Sequence, residues 1–79
     1  MPLASAIETR LHGQCFEALQ ARCIDPNISH RESDAYQDLY ALVFDAIHST
    51  HCDRQQVLDA ITTSPSAEAL RTQLQAWTA

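Results

Sequence analysis

Apolar side chains recur every three or four residues along four stretches of the chain, a spacing that places them on one side of an α-helix. This pattern predicts helices over residues 5–24, 30–49, 54–62 and 65–78. The chain has no alternating run of β-branched residues that would indicate a strand. Because the loops between the predicted helices are short, we expect an all-α fold: a compact antiparallel bundle of three main helices and one short helix.

The second predicted helix has the broadest apolar surface. At about 100° per residue, its apolar side chains span roughly 200° of the circumference. These side chains are Ala35, Tyr36, Leu39, Tyr40, Leu42, Val43, Phe44, Ala46 and Ile47. A helix that packs on a single neighbour needs a narrower stripe, so we expect several neighbouring helices, or a second protein, to cover this one.

Short polar motifs mark the predicted helix starts. Ser5–Glu8, Ser29–Glu32 and Asp53–Gln56 each place a capping side chain three residues before Glu or Gln, which is the pattern of a reciprocal capping box. Ser64 is expected to cap the fourth helix, with Pro65 in the first helical position, where proline is tolerated.

Length and charge narrow the class of protein. The 79 residues suffice for one domain, and domains of this size are marginally stable unless something staples them. The formal net charge of −5 opposes binding to a nucleic-acid backbone or to an anionic membrane. No apolar run approaches the ~20 residues needed to cross a bilayer. The first residues lack the pattern of a signal peptide, and three cysteines form no disulfide framework, so we expect a cytoplasmic protein.

Imidazole and thiol side chains form the cluster with the most potential chemistry. His12 and Cys15 are three residues apart on the first predicted helix, His48 and His51 have the same spacing at the end of the second, and Cys52 follows. Such groups are natural zinc ligands. However, their spacing fits no zinc-finger pattern, and His12 in mid-helix is expected to lie some way from the end of an antiparallel second helix. We therefore predict no metal or other cofactor and keep these five residues as an alternative metal site.

Other chemical functions have less support in the sequence. Cys52 precedes a helix start and follows a histidine, which can lower a thiol pKa, but a buried packing position would leave it inert, and we favour the latter. Asp34, Asp38 and Asp45 are interpreted as a solvated helix face. No nucleophile elbow, glycine-rich phosphate loop or H-E-x-x-H motif occurs, so we do not expect an enzyme.

The last two predicted helices could also be compared with a DNA-reading helix-turn-helix. The turn between them lacks glycine, and the second of them offers Arg71 as its one cation. Without cations to hold phosphate, direct binding to a nucleic acid is not expected, although association through these two helices remains an alternative.

The broad apolar surface of the second predicted helix favours a small protein-interaction domain: a regulator, adaptor or chaperone-like subunit. Aromatic side chains most often anchor interfaces. If part of the surface remains exposed, a homodimer that pairs this helix with its own copy is the simplest way to cover it. The residues predicted to form the interface are Tyr36, Tyr40, Phe44, Ile47 and Trp77.

Overall fold

Five helices follow one another along the chain. The computed structural model describes residues 3–49 and 52–78, and for residues 3–8 it describes the backbone alone. The helices are α1 (Leu3–Cys23), α2 (His30–Gln37), α3 (Tyr40–Ile47), α4 (Arg54–Thr63) and α5 (Ala67–Thr78). No strand occurs within the described residues, and the prediction of an all-α helical bundle is confirmed.

Helix α1 begins at Leu3, two residues before its predicted start. The side chains of the predicted capping box Ser5–Glu8 lie outside the described residues. Further along, Cys15 and Leu19, which are four residues apart on one side of α1, are fully buried. Gly13 is on the exposed side of the helix, where a Cβ would meet no atom within 4 Å, so this helical glycine is tolerated without any close approach.

The prediction of one continuous second helix over residues 30–49 is wrong, because that helix is divided into α2 and α3. The N–H of Asp38 still bonds to the carbonyl of Asp34 four residues back, but the N–H of Leu39 bonds to the carbonyl of Tyr36, three residues back. Such a bond tightens the turn in the manner of a 3₁₀-helix. Neither glycine nor proline marks the break, so no local signal indicated it; Leu39 at this turn is buried in the core.

Two of the predicted caps are present in the structure. The hydroxyl of Ser29 accepts a hydrogen bond from the N–H of Glu32 at 3.1 Å, at the start of α2. Asp53 and Gln56 form the complete reciprocal box at the start of α4, with N···O distances of 2.8 and 3.0 Å. These caps depend on neighbours in sequence alone, which is why the pattern located them.

The prediction that Ser64 caps the last helix is wrong. Ser64 is the C-terminal cap of α4, and its hydroxyl donates to the carbonyl of Ala60. Helix α5 starts at Ala67, and the hydroxyl of Ser66 accepts from the N–H of Ala69 at 3.2 Å. Pro65 therefore lies in the turn before the helix, where its missing N–H costs no helical hydrogen bond.

Contacts between distant residues define how the helices are arranged. Helix α1 runs antiparallel to α2 and α3, since Cys23 contacts Ser33 while Phe16 stacks on Tyr40. Helix α4 runs parallel to α1, since residues at the start and end of α4 contact successive residues of α1. The thiol of Cys15 donates to the carbonyl of Arg54, and the guanidinium of Arg22 donates to the carbonyl of Thr62. Helix α5 packs beside α2 and α3. The chain thus forms an up-down-up-down arrangement of four helical segments, in which the second segment is divided into α2 and α3.

All five helices contribute to a single core. Among the described residues, its buried members are Cys15, Leu19, Cys23, Tyr36, Leu39, Val43, Ala46, Ile47, Val57, Ala60, Ile61, Ala67, Leu70 and Leu74. The three cysteines are free thiols, so no disulfide staples the bundle. None of the described helices combines the length and the apolar character that a membrane crossing requires.

Candidate interaction surface and histidine pair

Two of the predicted interface residues belong to the core of the single chain. Tyr36 is 1% exposed and Ile47 is 3% exposed. The guanidinium carbon of Arg22 lies over the Tyr36 ring, 5.9 Å from its centre, so the guanidinium covers one face of that ring. Both residues therefore have almost no surface to offer a partner, and the apolar arc of the second predicted helix is largely explained by the fold itself.

Trp77 is partly buried near the end of α5 and packs against the core. Its carbonyl accepts a hydrogen bond from the hydroxyl of Ser49 at 3.2 Å. A shallow depression beside it is lined by Gln56 and Asp59 of α4. Among the described residues, no ring contact joins Trp77 to the other aromatic side chains, so it does not extend their surface.

Phe44 remains half exposed, at 51%, in the middle of a row of rings. Its ring centre is 4.4 Å from that of His48 and 6.4 Å from that of His12. Phe16 and Tyr40 continue the row, with ring planes 5° apart and centres separated by 6.1 Å. We call this row of five residues (His12, Phe16, Tyr40, Phe44 and His48) the aromatic face.

Helical spacing and antiparallel packing together build the aromatic face. His12 and Phe16 are four residues apart on α1, while Tyr40, Phe44 and His48 repeat the same spacing on and just after α3. Residues four apart project from one side of a helix. The short connection between α1 and α2 then brings the two rows together along the seam between α1 and α3.

Two carboxylates flank the aromatic face. The exposed row beside it includes Gly13 and Glu17 on α1, and Ala41 and Asp45 on α3. Gly13 and Ala41 are small, so the rings stand above them. The face is therefore apolar at its centre, with a carboxylate at the edge on each helix.

The expectation that His12 lies far from the end of the second helix is wrong. The imidazoles of His12 and His48 have centres 5.5 Å apart and planes inclined by 69°. Phe16 adjoins His12, at 5.3 Å between ring centres, and Phe44 adjoins His48. The antiparallel register places His12 opposite the residue that follows α3, which a count of residues along one helix could not show.

The thiols of the predicted metal cluster point elsewhere. Cys15 donates to the carbonyl of Arg54 at 3.5 Å, and burial raises the pKa of its thiol to about 11. Cys52 donates to the carbonyl of Ala46 at 3.3 Å. His51 lies outside the described residues. Within the described part of the chain, no three His, Cys, Asp or Glu side chains converge on one point, so the structure brings together only the two histidines His12 and His48.

Cys52 lacks the features of an activated thiol. Burial raises its pKa above the ordinary value, and the neighbouring carboxylate of Asp53 raises it further. A reactive cysteine needs the opposite shift, because the thiolate is the nucleophile. The sequence suggested that the start of α4 could lower the pKa of this thiol. In the structure the thiol instead donates to the carbonyl of Ala46, near the end of α3.

The remaining candidate groups are dispersed over the surface. Asp34, Asp38 and Asp45 are exposed, as the prediction of a solvated face requires. On α5, Arg71 is partly buried, and the exposed residues are Glu68, Thr72, Gln73, Gln75 and Ala76. This arrangement offers no row of cations to a phosphate backbone.

The chain was compared with protein-family models, with curated proteins and with solved structures, and none of them matches it. The function must therefore be inferred from the residues and their geometry.

Proposed function

We propose that this protein is a small interaction module that pairs with a second copy of itself through the aromatic face. The observation that carries the proposal is the half-exposed ring of Phe44 at the centre of that face. Aromatic side chains, phenylalanine among them, are enriched at protein interfaces. A dimer of this kind would act as a regulator, adaptor or chaperone-like subunit, and we place it in the cytoplasm.

The composition of the aromatic face supports a second copy as the occupant. Two chains of net charge −5 repel each other over most of their surfaces. At the rings around Phe44 two copies can meet through apolar surface, with the carboxylates of Glu17 and Asp45 left at the edge of the contact. A two-fold dimer uses the same patch on both copies, so Phe44 of each chain would lie near the Phe44 ring of the other. A basic partner would instead be expected to select an acidic surface.

Burial of the exposed half of Phe44 gives the expected strength of the contact. Full burial of a phenylalanine side chain is worth about 1.5–3 kcal/mol, so half of it contributes about 1 kcal/mol per copy. Tyr40, Phe16 and the two imidazoles would add contact area around it. Because association also costs translational and rotational freedom, we expect a weak, reversible dimer that forms at concentrations of about 0.1–1 mM.

The test is sedimentation velocity of the untagged chain over roughly 10 µM to 1 mM, a range that covers weak dimers. The mean mass should rise toward twice the chain mass as concentration increases. Phe44→Ser should remain a monomer throughout, with the same far-UV circular dichroism as the parent. Added salt should strengthen the dimer, since it screens the repulsion between two acidic chains.

Ile24 provides a matched control, because among the described residues it is a second large apolar side chain with high exposure, at 70%, and it directly follows α1. Ile24→Ser removes a similar apolar area at a different place and should dimerise like the parent chain. A parent chain that stays monomeric at the highest concentration would refute the proposal. Equal loss of association in both variants would show that the chains associate non-specifically through exposed apolar side chains, and not through the aromatic face.

A further inference from the structure

The structure brings two imidazoles from distant parts of the chain into contact. His12 is on α1 and His48 directly follows α3, and their ring centres are 5.5 Å apart. We propose that His12 and His48 chelate one divalent transition-metal ion of the class that prefers nitrogen ligands: Ni²⁺, Cu²⁺ or Zn²⁺. This site lies within one chain and does not depend on the proposed dimer.

The distance between the two rings matches that of a chelate. With metal–nitrogen bonds of about 2.0–2.1 Å, two imidazoles on one tetrahedral or octahedral ion have ring centres roughly 4.5–5.5 Å apart. Rotation about the bond between Cβ and the ring moves the nitrogens while the ring centre stays almost in place, and that torsion is soft. The observed separation of 5.5 Å therefore lies at the upper end of the range for a chelate.

The two rings are positioned but not otherwise engaged. Phe16 and Phe44 pack beside them at 5.3 and 4.4 Å and limit their sideways movement. Among the described residues, no hydrogen bond or ion pair occupies the nitrogens of either imidazole. Neutral imidazole nitrogen is a good ligand for Zn²⁺, Cu²⁺ and Ni²⁺ and a poor one for Mg²⁺ and Ca²⁺, which select oxygen.

The ligand count determines what kind of site this is. With two protein nitrogens and no third side chain converging among the described residues, the remaining coordination positions are left to water or to an incoming ligand. Such a site is open and exchanges its metal readily. It also links α1 to α3, so the ion binds the folded chain more tightly than the unfolded chain and stabilises it by mass action.

The test is calorimetric titration of untagged protein with Ni²⁺ and with Zn²⁺ at neutral pH. We expect one ion per chain. His12→Ala and His48→Ala should each weaken binding by at least tenfold, since each removes one of two ligands. His30→Ala is the matched control, because His30 is an exposed imidazole at the start of α2, and it should bind like the parent.

A second measurement separates chelation from scattered binding to single histidines. Long-range proton–nitrogen correlation spectra should show the signals of two of the four imidazoles shifting together as Zn²⁺ is added. One of these two signals should be absent in His12→Ala, and the other in His48→Ala. The same titration of the parent chain, repeated at a protein concentration too low for the proposed dimer to form, should still give one ion per chain. Parent-like affinity in both His12→Ala and His48→Ala, or equal loss in His30→Ala, would overturn the inference.

Discussion

The carboxylate of Glu32 accepts a hydrogen bond from the backbone N–H of Ala67 at 2.5 Å, which joins α2 to the first turn of α5. The N-terminus of a helix has unsatisfied N–H groups and a partial positive charge, so a carboxylate from another helix stabilises it. The sequence predicted that this carboxylate would bond to the N–H of Ser29 in its own helix. In the folded chain the same side chain spans 35 residues instead.

Replacement of Glu32 should therefore destabilise the whole bundle rather than one helix end. We expect Glu32→Ala to lower the free energy of unfolding by about 1–2 kcal/mol, and Glu32→Gln, which keeps an acceptor but loses the charge, by about half as much. Urea denaturation followed by circular dichroism measures both. Glu17→Ala, an exposed carboxylate on α1, is the control and should change stability by less than ~0.5 kcal/mol. Equal stability of Glu32→Ala and the parent would contradict the role assigned to this bond.

Arg22 provides a second link between distant helix ends. Its guanidinium donates to the carbonyl of Thr62 at 3.0 Å and to that of Ser64 at 3.2 Å, at the C-terminal end of α4. It also covers the ring of Tyr36. Both hydrogen bonds come from one nitrogen, Nη2, which lies one bond farther from the backbone than the nitrogen of a lysine, and lysine also lacks the planar group that covers the ring. We expect Arg22→Lys to cost about 1 kcal/mol and Arg22→Ala about 2 kcal/mol of stability.

Hydrogen exchange locates the effect of Arg22. The amides of the last turn of α4 should exchange faster in Arg22→Lys, because the shorter lysine side chain holds the carbonyls of Thr62 and Ser64 less firmly and the turn frays more often. Arg10→Lys, on the exposed side of α1, is the matched control and should leave both stability and exchange unchanged. Unchanged exchange at the end of α4 in Arg22→Lys would show that the two hydrogen bonds contribute little.

The buried thiol of Cys15 should make stability depend on alkaline pH. Burial raises its pKa from 9.0 to about 11, and the positive charge of Arg54 opposes only part of that shift. The folded chain therefore holds this proton more tightly than the unfolded chain does. Its contribution is fully present below about pH 9 and is lost as the pH rises toward 11.

Denaturation at several pH values between about 8 and 11 tests this linkage. The free energy of unfolding should fall as the pH rises, and Cys15→Ala should show a shallower fall. Burial also raises the pKa of Cys23 and of Tyr36, so the variant should still lose some stability. The quantity to compare is the slope of the free energy of unfolding against pH. The free energies themselves differ at every pH, because the smaller alanine side chain leaves a cavity that lowers stability. Identical slopes in the parent and Cys15→Ala would contradict the assignment.

Local physics accounts for what was predictable in this chain. Helices and their exposed and buried sides follow from a periodicity that any helix imposes, and the Asp53–Gln56 box forms between residues three apart. The same reasoning explains the failures. The break at Leu39 occurs where the side chain is buried in the core, without a glycine or proline to mark it. Ser64 and Ser66 are both suitable caps for the start of α5, and the structure uses Ser66.

From the amino-acid sequence alone one could determine that the chain forms short-looped helices, which side of each helix is apolar, and that Phe44 belongs to a helix with more apolar surface than usual. The tertiary structure alone decided that Tyr36 is enclosed while Phe44 is half exposed, that Glu32 bonds to α5, and that His12 meets His48. The physical reason is that helical hydrogen bonds and caps join residues at most a few positions apart. The relative positions of two helices depend instead on how all their side chains pack at once.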